Sequence, residues 1–124
     1  MPQRVYSCSA EDSQALKKLL EYDPYLDKSL NEEQLAKLKS DSDANTIFAR
    51  QDYLLKDGIS IGLDREKYYL YINANDEFLE RGEQKLKEKV GSIARVEPEL
   101  EAEIIAGIEG ERSASERGIG SIFG

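Results

Sequence analysis

Apolar side chains recur along this chain at two spacings, and the switches between them mark its elements. Alternation from Arg4 to Cys8 sets Val5 and Ser7 on one face and Tyr6 and Cys8 on the other, which predicts a short strand. Leu16, Leu19 and Leu20 then recur at helical spacing. With Ser9 as N-cap and Asp12 at the third helical position, they predict a first helix running to about Tyr22. Pro24 restrains Asp23 toward an extended backbone and breaks it. Ser29 and Glu32 repeat the capping-box spacing, and Leu30, Leu35 and Leu38 supply the weaker apolar face of a second helix ending near Ser40.

A polar loop at 40–45 leads into a stretch with two readings. Asp57-Gly58 lies between apolar residues, and Asp-Gly suits a hairpin turn whose central residues need positive φ. Thr46 to Lys56 is then a strand entering that turn. Ile47, Gln51, Leu54 and Leu55 also fit a helix capped by Asn45 and closed by Gly58, and the strand is the preferred reading. A second turn at Asp64–Lys67 leads into Tyr68–Asn73, the strongest strand signal, so these pieces together predict an antiparallel meander. Asn75 caps a third helix whose core stripe is Phe78, Leu79, Gly82, Leu86 and Val90, with Gly91 ending it. Ser92 to Glu97 is a candidate last strand. It forms a βαβ crossover with Tyr68–Asn73 if the two are parallel. Beyond it, Pro98 at a first helical position with Leu100, Ile104, Ile105 and Ile108 favours a helix over 98–108. The alternation of Glu97, Glu99, Glu101 and Glu103 with apolar residues favours a strand instead.

Composition narrows the class. Leu, Ile, Val and Phe make up 30 of the 124 residues, enough for one compact core, expected over residues 1–106. Five glycines and three serines among residues 107–124 predict a flexible tail there. No apolar run is long enough to span a membrane, and Met1–Cys8 lacks the apolar stretch of a signal peptide. A soluble cytoplasmic protein is the expectation. The chain has no histidine, which excludes Cys-His and Ser-His nucleophilic sites and His-ligated zinc. A lone Cys8 in a strand reads as an inert core thiol.

The formal charge of −8 is uneven: residues 1–44 carry −3, residues 45–96 are neutral and residues 97–124 carry −5. This balance disfavours phosphate backbones and anionic membrane surfaces, so neither nucleic acid nor membrane is an expected partner. A basic protein partner or a cation is the better match. Tyr69 and Tyr71 share one strand face, and if helices cover only the other face they stand open as partner anchors; a covering segment would make them structural. Glu97, Glu99, Glu101 and Glu103 would line one face of a strand as a second partner surface, or spread around a helix. Asp41, Asp43, Asn45 and Asp52 have oxygens placed somewhat as in a calcium loop. Thr46 stands where that loop needs glycine, and Asp52 replaces its bidentate glutamate. Arg81, Lys85 and Lys89 align along the third helix, interleaved with glutamates.

The order of strand, two helices, meander, helix and strand partly resembles ferredoxin-like α+β sandwiches, which host many unrelated functions. The fold expected is α+β, an antiparallel meander packed with about three helices. The function expected is a non-enzymatic protein–protein interaction or regulatory module needing no cofactor. Binding of a small ligand or divalent cation is the alternative.

Overall fold

A computed structural model of the chain describes residues 2–41 and 46–116, with side chains as far as residue 113. The described elements are β1 (Gln3–Ser9), α1 (Ser13–Glu21), α2 (Glu32–Ser40), β2 (Asp52–Asp57), β3 (Lys67–Asn73), α3 (Asp76–Lys89), β4 (Ala94–Arg95) and α4 (Pro98–Glu116). The fold is α+β, with one sheet in the order β2-β3-β1-β4 and every neighbouring pair antiparallel. Since β3 and β4 each run opposite to β1, they are parallel to one another. The chain from β3 through α3 to β4 therefore brackets the inserted β1.

Strand alternation divides the core in two. Tyr6, Cys8, Leu70 and Ile72 face α1 and α3, where they pack with Leu16, Leu20, Leu79, Leu86 and Phe48. Val5, Tyr69 and Tyr71 face the other way, onto Ile104 and Ile108 of α4. The sandwich is three-layered, and of the two readings open for 98–108 the helical one holds, adding a fourth helix. Residues 98–116 are helical because burying Ile104 and Ile108 contributes roughly 1.5–3 kcal/mol each. That outweighs the roughly 0.2–0.5 kcal/mol per like-charge i,i+4 pair that the glutamate series costs. The helix crosses the domain boundary expected at 106/107, and residues 117–124 lie outside the described residues.

Other departures are local. Ser9 makes no capping bond; its N–H donates instead to Ser92 Oγ at 2.9 Å, and Asp12 accepts from the Ser92 N–H at 3.1 Å. The α2 cap moves to Asn31, which exchanges bonds with Gln34 in a full capping box. The predicted meander reduces to a hairpin of β2 and β3, because Ile59–Ile61 forms a 3-10 turn rather than a middle strand. Gly58 ends β2 with φ −60°, not a positive φ. Its necessity is steric: a Cβ there would lie 1.7 Å from the Asp64 carbonyl oxygen.

The two-residue β4 is too short to pair the whole of β1, whose Val5 and Ser9 N–H groups point to that side. Side-chain oxygens complete the row. Glu101 Oε2 accepts from Val5 N–H at 3.0 Å, as Ser92 Oγ does from Ser9 N–H.

Candidate functional site

The residues singled out in the sequence do not converge on one surface. Tyr69 and Tyr71 are 5% and 2% exposed under α4, so the open aromatic face does not exist in this fold. The Tyr71 hydroxyl accepts from Gln3 Nε2 at 3.0 Å, and Arg112 sits over its ring. The glutamate series is dispersed by the helix. Glu97, Glu99 and Glu103 are exposed, whereas Glu101 is buried and bound bidentately by Arg95 at 2.8 and 2.7 Å. Burial, the largest influence, pushes the Glu101 carboxyl up, but Arg95, the Val5 N–H and Arg4 together hold it below the usual glutamate range.

Of the cation-loop residues, Asp43 and Asn45 lie outside the described residues. Asp41 is exposed at the end of α2. Asp52 is held by Arg112 through two 2.9 Å bonds, which depress its titration. No group of three or more His, Cys, Asp or Glu side chains able to hold a metal occurs among the described residues. Cys8 is buried in the core, and burial, followed by Asp12, pushes its thiol up, away from the reactive thiolate.

The basic stripe of α3 divides. Arg81 is bonded to Glu77 at 3.1 Å, while Lys85 and Lys89 turn toward a cleft of about 460 Å³ between α1 and α3. Leu16 and Leu20 of α1 point into the core, which leaves the adjoining stripe of Ala15, Lys18, Leu19 and Tyr22 to form one wall. Pro24, Thr46 and Ile47 complete the lining. Pro24 is buried, in a 3-10 turn capped by the Asp23 carboxylate, and Arg50 ties that carboxylate to the segment bearing Ile47 at 2.9 Å.

Among the described residues, three lysines and no carboxylate line this cleft, in a chain with an excess of acidic residues. Lys85 is part-buried and donates to the Thr46 carbonyl at 3.0 Å. Burial, then the neighbouring Lys89, lowers its pKa, so an anion brought beside it would relieve an unfavourable charge. Among the described residues the lining offers apolar contact and ammonium donors. Of its residues the sequence had flagged only Lys85 and Lys89 as functional candidates. The signal for the rest was the second apolar stripe of α1, Ala15-Leu19-Tyr22, which reads in sequence as ordinary core periphery.

No protein-family model matches this chain, and no curated protein or solved structure matches it. No described helix is long and apolar enough to cross a membrane.

Proposed function

We propose that this protein is a non-enzymatic binding module whose recognition site is the cleft between α1 and α3. Its ligand is a small amphipathic anion, an acidic head group on an apolar body. One observation carries the reading: among the described residues, three lysines and no carboxylate line an apolar cleft, on a protein of net charge −8. A volume of about 460 Å³ lies within the roughly 300–1,000 Å³ typical of small-molecule sites. The apolar body lies on Leu19, Ile47 and Pro24, while the head group meets Lys85 and Lys89, with Lys18 at the rim. This reading keeps the expected non-enzymatic class and moves the site away from the sheet face and the acidic loop.

Titration with decanoate, followed by amide shifts, tests it, with decanol and a decyl quaternary ammonium ion as comparators. Saturable shifts at Ala15, Leu19, Ile47 and Lys85 with decanoate, absent with the cation and weakened about tenfold by Lys85→Met, are expected. Equal responses to anion and cation, or no saturable response, would remove the proposal.

A further inference from the structure

The two edges of the sheet are treated differently. On the β1 side, donors left over by the short β4 are taken up by Ser92 and Glu101. Among the described residues the β2 side has no such closure. Gly58 N–H donates to Lys67 O at 2.9 Å, continuing the register that pairs Asp57 with Tyr68. By the alternation of an antiparallel ladder, Asp52, Leu54 and Lys56 then direct their backbone groups to β3, and Tyr53 and Leu55 direct theirs outward. Among the described residues nothing hydrogen-bonds to those outward groups. The strand has six residues, no proline and no glycine, and the charged side chains that guard this edge, Asp52, Lys56 and Asp57, are ones a partner strand has to match.

The strand is also self-complementary. A two-fold axis perpendicular to the sheet at Leu54 sets Tyr53 of one copy opposite Leu55 of the other, with both backbone bonds exchanged. The same axis sets Asp52, whose carboxylate also accepts from Arg112, opposite Lys56 at each end, on the α4 face. Moving the axis to Leu55 sets Tyr53 opposite Asp57 and Leu54 opposite Lys56, with no opposite-charge pair, so charge selects the first register. Lys56 makes no ion pair within the chain among the described residues, and its charge is available to a partner.

We propose that β2 pairs antiparallel with β2 of a second copy about Leu54, joining two sheets into one of eight strands. The surface is distinct from the lysine-lined cleft, and the proposal stands whether or not that cleft binds an anion. The test is sedimentation equilibrium of the full chain over a wide concentration range, with amide exchange measured on the same samples. A dimer whose Tyr53 and Leu55 amides gain protection with concentration is expected, and Lys56→Glu should raise its dissociation constant about tenfold or more. Asp52→Lys should do the same, and mixing these two variants should restore dimer, since each places the charge its counterpart needs. A chain monomeric at every concentration overturns the proposal. So does a dimer indifferent to Lys56→Glu, or one whose Tyr53 and Leu55 amides exchange at a constant rate, for then another surface or partner uses this face.

Discussion

Replacing Glu101 separates its two duties. Glu101→Ala removes the acceptor of the Val5 N–H, leaving a buried donor unsatisfied at about 1–3 kcal/mol. It also removes the bidentate Arg95 pair, discounted to about 0.5–1 kcal/mol because the Arg95 side chain is 45% exposed. The expected loss is about 1.5–4 kcal/mol in urea unfolding followed by far-ultraviolet circular dichroism. Glu101→Gln keeps a carbonyl oxygen for Val5 and loses only the charge, so it should cost about 1 kcal/mol. The amide of Val5 should exchange faster in the alanine variant and remain protected in the glutamine one. The pH dependence follows from the depressed carboxyl: the unfolded group titrates near 4.5, so its contribution is complete above that value and is lost as pH falls through the lower folded value. Glutamine and alanine variants of equal stability would refute the claim that Glu101 completes the β1 ladder.

Glu97, Glu99 and Glu103 replaced together by glutamine should leave stability within about 0.5 kcal/mol of the parent by the same unfolding assay, because all three are exposed. Gly58→Ala should lower stability by about 2 kcal/mol or more in thermal unfolding, since its Cβ meets the Asp64 carbonyl. Gly62→Ala, at φ +70° with open space around it, should cost only about 1 kcal/mol. Burial, outweighing the bond from Arg4, pushes the Tyr6 phenol up to about 12 from 10.0, with Glu83 adding to the rise. Its contribution to stability is therefore complete below pH 10 and lost as pH climbs toward 12, so Tyr6→Phe should flatten that alkaline decline in pH-resolved denaturation.

The parts of the fold legible in the sequence are those where one physical signal dominates. Tyr68–Asn73 and the helix after Asn75 lie within a residue of their expected bounds, because β-branched and aromatic density in one case and a cap with an acidic first turn in the other meet no competitor. Two competing periods met at 97–108, and what decided between them was the apolar sheet face waiting for Ile104 and Ile108, which is tertiary information. Gly58 shows a different limit. Asp57-Gly58 carries a turn signal in sequence, yet the glycine is required by a backbone six residues further on. The cleft was the least legible feature, since it is assembled from α1, the Pro24 turn, Ile47 and α3.

The placement of α4 decides where recognition can occur. By covering Tyr69 and Tyr71 it removes the aromatic anchors that made the sheet attractive as a partner surface. It also turns Glu97, Glu99 and Glu103 outward, so these three carboxylates face solvent on the layer opposite α1 and α3. The lysines of the cleft lie in the other layer, with the sheet between. In the proposed cleft an anion would meet Lys18, Lys85 and Lys89 across an apolar wall, with no carboxylate among the described lining residues. The net charge of −8 therefore does not characterise the described lining of the proposed cleft, which is locally basic although α3 also carries Glu77, Glu80, Glu83 and Glu88.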